Sequence, residues 1–184
     1  MLKQTALTLL AAAILSGTAM AETFRWASAT DPQTMDPHAV NSAPVLGFLN
    51  NVYEGLVRRN KSMAVEGALA ERWEPLGKDG WRFHLRKGVT FHDGTTMDAE
   101  DVKFSLDRIG AEDSANAQKA LYAAISEVNV IDPLTVEVKL SEADGNMLFN
   151  LAWGDAVIVA PESIENIKQA PIGTGAFKFN SWTQ

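Results

Sequence analysis

The residues best suited to chemistry lie in one stretch, FHDGTTMDAEDVKFSLDRI, at positions 91–109. His92 and Asp93 are adjacent there, and three more acidic residues follow closely. A histidine beside carboxylates could serve as a metal site or as a general acid–base pair. A zinc site needs more converging ligands than these two, and the other histidines, His38 and His84, are far away in sequence. The stretch therefore has to be weighed against a structural alternative.

That alternative is a turn followed by a capped helix. Asp93 and Gly94 form a turn dipeptide. Asp98 is expected to cap a helix, and Asp101 falls near the positive end of the helix dipole. Apolar residues then repeat at helical spacing, at Val102, Leu106 and Ile109. The pattern favours a helix start over a catalytic cluster.

Residues 1–21 predict a cleaved secretory signal peptide. They contain Lys3, an apolar run at 6–15 and a small-residue ending at 19–21, with cleavage expected before Glu22. The apolar run is shorter than the ~20 residues that a membrane span requires, so we expect no membrane anchor. The chain has no cysteine, which excludes a lipid-modified cysteine at the cleavage point. These features predict a location in the periplasm.

The composition argues against several functions. The net charge is −7, whereas a nucleic-acid-binding protein is expected to show a basic balance or patch. The longest basic cluster, at 58–61, is interpreted as the end of a helix. Neither a cysteine nucleophile nor a G-x-S-x-G elbow is present, so we expect no enzyme, no cofactor and no metal. The alternative hypothesis is a periplasmic hydrolase that uses His92 and Asp93.

Hydrophobic periodicity predicts an α+β protein. Strands are expected at 24–28 and 176–180, and a helix is expected after Ser42. That helix would present Val45, Leu49, Val52 and Leu56 on one buried face.

Two antiparallel hairpins are also predicted. The first would run through 81–85, turn at Lys87 and Gly88, and return from Val89. The second would span 128–140. We expect Tyr53 and three tryptophans, Trp73, Trp81 and Trp153, to pack in the core rather than to stack on a ligand.

Six motifs in order along the chain resemble a known family. They are MDPH (35–38), NVYEGLVRR (51–59), ALAERWE (68–74), WRFHLRKGVTFHDG (81–94), AEDVKFSLDRI (99–109) and PIGTGAFKF (171–179). The motifs are similar to those of the family 5 extracellular solute-binding proteins. Members are periplasmic receptors of ABC importers for dipeptides, oligopeptides, nickel chelates and related solutes. The resemblance covers essentially all of the chain after residue 21.

The resemblance implies the N-terminal part of a two-lobed periplasmic-binding-protein fold of the class II type, with a mixed sheet, β-hairpins and packed helices. On that map residues 22–41 start lobe one, 42–170 form a family-specific α+β subdomain, and 171–184 return into lobe one. Family members are much longer, so the opposite lobe is expected to lie outside this chain. A truncated fragment with no transport role is therefore a further hypothesis.

The resemblance also implies a function and a few ligand contacts. The chain would bind a small solute, with a di- or oligopeptide as the first choice, and deliver it to membrane permease subunits. Asn41, Ser42 and Ala43 would pair with the ligand backbone, as extended peptides commonly bind, and Thr174 would reach the cleft. Two alternatives stay open. Asn41 and Ser42 could simply cap the following helix, and Thr174 could belong to a glycine-rich turn.

Overall fold

The computed structural model describes residue 25 and residues 27–183. The predicted signal peptide, together with Phe24 and Trp26 of the first predicted strand, lies outside the described residues. Within the described part, no helix is long and apolar enough to cross a membrane.

Three α-helices and six β-strands make up the regular structure of the described residues. The helices are α1 (Ala43–Leu49), α2 (Ala99–Gly110) and α3 (Met147–Asn150). The strands are β1 (Val57–Arg59), β2 (Val65–Gly67), β3 (Ala70–Pro75), β4 (Gly80–Leu85), β5 (Ile125–Asp132) and β6 (Thr135–Leu140). Single 3-10 turns occur at Pro37–Ala39, Lys119–Tyr122 and Pro161–Ser163.

A four-stranded antiparallel sheet in the order β3-β4-β6-β5 forms the main layer. Alternate residues of its central strands point to one face, where Phe83 and Val136 are fully buried opposite each other. Helix α2 covers this face with its apolar side, at Val102, Leu106 and Ile109. The α+β prediction is confirmed, and so is the second hairpin, which forms between β5 and β6.

Helix α2 begins as the sequence predicts. The Asp98 carboxylate accepts the Glu100 N–H at 2.8 Å, and the Asp101 carboxylate accepts the Asp98 N–H at 2.8 Å, which completes a capping box. Asp93 accepts both the N–H and the hydroxyl of Thr95 and so closes the preceding turn.

The first predicted hairpin is wrong, because the strand at 81–85 does not pair with a strand that begins at Val89. Strand β4 pairs with the preceding strand β3, across a turn in which Gly77 has a positive φ of 61°. Residues after Gly88 form a single bridge, between Thr90 and Thr96, instead of a return strand. The alternation at 81–85 correctly predicts a strand, but periodicity carries no information on which neighbour pairs with it.

Helix α1 is shorter than predicted. It ends at Leu49 because the Asn51 side-chain amide donates to the carbonyls of Gly47 and Phe48, both at 3.0 Å. Val52 and Leu56 are nevertheless buried. The turn after α1 therefore packs the same apolar residues without helical geometry.

The basic cluster at 58–61 begins in a strand and ends in the turn after it, so it does not lie at a helix end. Arg58 belongs to β1 and pairs with Glu66 of β2 at 2.7 Å. The Arg59 guanidinium lies over the rings of Phe149 and Trp153, 4.9 and 4.2 Å from their centroids. Trp153 thus contacts a cation of its own chain. Trp73 and Trp81 pack against the main core, and Tyr53 is 1% exposed, as predicted.

Candidate functional site

The MDPH motif forms the best-defined polar cluster of the described residues. Asp36 and His38 are 1% and 2% exposed. The Arg108 guanidinium, from the last turn of α2, donates to both Asp36 carboxylate oxygens, at 3.0 and 2.6 Å. The same guanidinium donates to His38 Nδ1 at 2.7 Å, and His38 Nε2 donates to the Val157 carbonyl at 2.9 Å. We call these three side chains the Asp36–His38–Arg108 clamp.

The contacts of His38 fix its charge state. Burial is the main reason that the pKa of His38 is lowered to about 4, and the nearby Arg108 charge lowers it further. The Val157 carbonyl and Asp36 act in the opposite direction. Near neutral pH the imidazole is therefore neutral, with its proton on Nε2 and its lone pair facing Arg108.

The first three predicted ligand contacts follow directly after this clamp. Asn41 and Ala43 are exposed, and Ser42 is half-buried. Ser42 has extended backbone, with φ −134° and ψ 113°, and its carbonyl accepts the Leu46 N–H at 2.8 Å. It occupies the N-cap position of α1, but its hydroxyl makes no capping hydrogen bond. Capping therefore does not account for the Ser42 side chain.

Thr174 lies in the other segment that the resemblance assigns to the cleft. Its hydroxyl donates to the Glu54 carboxylate at 3.0 Å. The flanking glycines allow a close backbone approach, since a Cβ on Gly173 or Gly175 would lie within about 2.1 to 2.5 Å of a carbonyl oxygen of Val52 or Asn51. The glycine-rich turn is thus real, and Thr174 also has a specific partner.

Residues 173–178 are tied to the turn after α1 and to His92. The N–H groups of Gly175 and Phe177 donate to the carbonyls of Val52 and Asn51 at 2.8 and 3.0 Å. These two bonds do not amount to a strand, so the strand predicted at 176–180 is absent from the described structure. A strand requires a regular neighbour, and the segment has only an irregular turn beside it.

His92 and Asp93 hydrogen-bond to different partners. His92 Nε2 donates to the Gly175 carbonyl at 2.8 Å, and the His92 carbonyl accepts from Lys178 Nζ at 2.8 Å. The pKa of Asp93 is lowered mainly by the hydrogen bond from the Thr95 hydroxyl and then by the one from the Thr95 N–H. No group of three or more potential metal ligands occurs in the part of the chain that the structure describes. Both residues serve the turn that leads into α2 and its junction with 173–178.

An open groove of about 810 Å³ separates the segment before α1 from the segment after Gly175. Helix α1 lines one side and residues 177–182 line the other, with apolar side chains that include Val45, Phe179 and Trp182. Phe177, at the edge, is 59% exposed. The groove includes Pro44 but none of the four predicted contacts, and the Thr174 hydroxyl bonds to Glu54 rather than to residues 41–43.

Sequence reasoning missed Arg108 and Glu54. Arg108 is 72 positions from Asp36, and Glu54 is 120 positions from Thr174. In both cases the only signal is that the residue falls inside one of the six motifs, which gives no indication of its partner.

Comparison with known proteins identifies the family to which this arrangement is similar. Residues 64–184 match the family described as bacterial extracellular solute-binding proteins, family 5 Middle. The glutathione-binding protein GsiB of Salmonella paratyphi A is 32% identical over 157 residues, which cover 82% of this chain and 30% of that protein. The chain therefore spans about a third of the length of the relatives it matches.

Two solved structures share the fold at appreciable sequence identity. The binding protein AgaA of A. tumefaciens R10, in complex with agropinic acid, is 32% identical, with a TM-score of 0.78 over 84% of this chain and 32% of that one. The binding protein DppA of Helicobacter pylori, in complex with the peptide STSA, is 26% identical, with a TM-score of 0.72 over 84% of this chain and 36% of that one. By its motifs, its fold and this family match, the chain belongs to the family 5 extracellular solute-binding proteins.

Proposed function

We propose that this chain is the N-terminal part of a periplasmic receptor that binds a small solute and delivers it to the permease of an ABC importer. The receptor is not an enzyme and acts by closing two lobes around its ligand. Residues 22–41 and 171–184 belong to lobe one, and 42–170 form the subdomain between them. Residues 1–21 direct export to the periplasm and are then removed.

One observation carries this proposal: the chain leaves and re-enters the same place. The Trp182 indole N–H donates to the Asp31 carboxylate at 3.4 Å, which joins residues 171–184 to residues 22–41 directly, and residues 175–177 also donate to carbonyls at the beginning of the subdomain. Start and return therefore lie side by side, as expected where one lobe is built from two separate stretches of chain. The family match and the shared fold with AgaA support the same interpretation.

The proposed ligand is a peptide or a related amino-acid derivative. The named relatives support this class, because glutathione and STSA are both peptides. Residues 41–43 suit it physically, since Ser42 is extended and its two neighbours are exposed. Extended backbone of this kind can hold a peptide by strand-like main-chain hydrogen bonds. In this proposal Asn41, Ser42 and Ala43 contact the ligand backbone, and Thr174 contacts it from the returning segment.

The test is ligand-dependent thermal stabilisation of the full-length natural protein. The probes are glutathione, a dipeptide and tetrapeptide pool, an opine and a nickel–histidine chelate, each added well above the expected Kd. A ligand at 100 times its Kd should contribute about 2.7 kcal/mol to the native state, which is a readily measured rise in Tm. No rise with any of these probes would contradict the proposed function.

A pair of variants at one position tests the main-chain contact. Ala43→Pro removes the backbone N–H at the first helical position, where proline is tolerated. Ala43→Ser changes the side chain but keeps the N–H. We expect Ala43→Pro to lose most of the ligand-induced rise in Tm and Ala43→Ser to keep it, with similar Tm values in the absence of ligand.

A further inference from the structure

The predicted contact segment, residues 41–43, is held in place by the residues that flank it. Its own side chains make few contacts, since Asn41 and Ala43 are exposed and the Ser42 hydroxyl does not cap α1. Before the segment, the Met35 N–H donates to the Lys168 carbonyl at 2.9 Å, and the Asp36–His38–Arg108 clamp follows. After it comes α1. The conformation of residues 41–43 therefore depends on the anchors at its two ends.

The clamp joins three separate parts of the chain. Asp36 caps the 3-10 turn by accepting the His38 N–H at 3.1 Å, and Arg108 brings in the end of α2. His38 extends the network to the Val157 carbonyl. The next residue, Ile158, donates its N–H to the Glu54 carbonyl at 2.8 Å, and the Glu54 side chain accepts from Thr174. Hydrogen bonds and adjacent residues thus connect both predicted ligand-contacting segments through His38.

The chemistry of the clamp requires an arginine. A planar guanidinium can grip both oxygens of a carboxylate and still donate to a third acceptor, here the His38 ring nitrogen. A lysine ammonium carries the same charge but is a single point without the fork. The clamp also requires a neutral histidine, because a protonated Nδ1 has no lone pair to accept a hydrogen bond from Arg108.

We infer that Arg108 is a positioning residue for ligand binding, which holds residues 41–43 in their ligand-accepting conformation through Asp36 and the His38 ring nitrogen Nδ1. This inference rests on the proposed function and names a residue that touches no ligand. It also makes affinity sensitive to pH, since protonation of His38 breaks its bond with Arg108. The ionisable groups that act on His38 are Asp36 on its own turn and Arg108 on α2, while Tyr53, from the turn after α1, lies in the same electrostatic surroundings.

The first test is amide hydrogen exchange in the ligand-free full-length natural protein. Arg108→Lys should speed exchange about tenfold at the hydrogen-bonded amides of Met35, His38 and Ala39 and leave the β4 and β6 amides protected, as expected of a local opening. The matched control is Arg82→Lys, which also breaks an arginine–carboxylate contact, with Glu137, but on the sheet. Unchanged exchange at Met35, His38 and Ala39, or an equal rise throughout the protein, would overturn the inference. If Arg108→Lys does not fold, Asp36→Asn takes its place.

The second test measures affinity for glutathione, or for whichever probe stabilises the unaltered protein. If the competent conformation falls to about a tenth of the population, the apparent Kd of Arg108→Lys rises about tenfold, whereas Arg82→Lys stays near the unaltered value. The unaltered protein should also bind about twofold more weakly at about pH 4, where about half of His38 is protonated, than at about pH 7.5, and His38→Gln should remove that difference because glutamine does not titrate.

The possible failures can be told apart. If the unaltered protein binds none of the probes, the proposed function fails. If it binds and Arg108→Lys binds equally well, only the positioning role fails. A pH dependence that persists in full in His38→Gln would overturn the role of the histidine.

Discussion

At the scale of single residues, the described part of the chain buries two carboxylates and satisfies them in different ways. Asp36 is paired with a guanidinium, as described above. Asp155, which is fully buried, accepts from the Tyr122 hydroxyl at 2.9 Å and from the Asn116 amide at 2.7 Å. Burial, and then the Asp155 charge, raise the pKa of Tyr122, so its phenol remains a donor at any ordinary pH. Each of these two carboxylates thus has its donors, which avoids the large cost of a buried carboxylate without hydrogen bonds.

His38 makes the stability of the fold depend on pH. Its pKa is about 4 in the folded protein, below the ordinary value of 6.5, so the unfolded chain binds the proton more readily. The stability that neutral His38 contributes is therefore fully present above pH 6.5 and is lost as the pH falls towards 4. The 2.5-unit difference corresponds to about 3 kcal/mol at most. Urea unfolding at about pH 7 and about pH 4.5 should show this loss in the unaltered protein.

The variant His38→Gln should lose much less stability over the same pH range, although it is less stable at pH 7. His84→Gln, on the half-buried sheet surface, is the matched control and should behave like the unaltered protein. An equal loss in the unaltered protein and in His38→Gln would show that His38 is not the titrating group.

At the scale of elements, local features were predictable and pairings were not. The capping box at Asp98 and the turn at Asp93 are properties of short stretches, because the donor and acceptor lie within three residues of each other. The partner of β4 and the end of α1 depend on contacts beyond the local pattern. The clamp likewise depends on packing that brings α2 to the 3-10 turn, so no spacing rule could pair Arg108 with Asp36.

The candidate site divides in the same way. The motif resemblance identifies residues 41–43 and Thr174 as places to examine, and the proposed role of each still awaits a binding experiment. The Thr174 hydroxyl donates to Glu54, which belongs to the distant NVYEGLVRR motif. No sequence pattern pairs these two residues, because only the packing of residues 173–178 against the turn after α1 brings them together.

Gly173 is essential to the junction between the returning segment and that turn. A Cβ at this position would lie 2.1 Å from the Val52 carbonyl oxygen and 2.8 Å from the Tyr53 ring. We expect Gly173→Ala to lower the free energy of unfolding by about 1 to 3 kcal/mol, as overpacking does. Gly145→Ala, where no atom lies within 4 Å of the added carbon, is the control and should change it by less than about 0.5 kcal/mol. Urea denaturation measures both, and equal stabilities would contradict a close junction.

At the scale of the whole molecule, the two segments assigned to lobe one border the same apolar groove and are joined by the hydrogen bond from Trp182 to Asp31. The subdomain between them has its own core, built from the four-stranded sheet and α2, while a second cluster around Leu49, Tyr53 and Val159 lies beneath the contact segment. The second cluster thus packs directly beside the segment that we propose to contact the ligand.

The central claim is that the natural protein is a receptor that closes on a small solute. Small-angle X-ray scattering of the full-length natural protein, with and without a saturating amount of the probe that raises its Tm, tests this claim most directly. The account predicts a smaller radius of gyration with bound ligand at an unchanged molecular mass, as lobes close. Saturation of the protein with no change in the radius of gyration would contradict it.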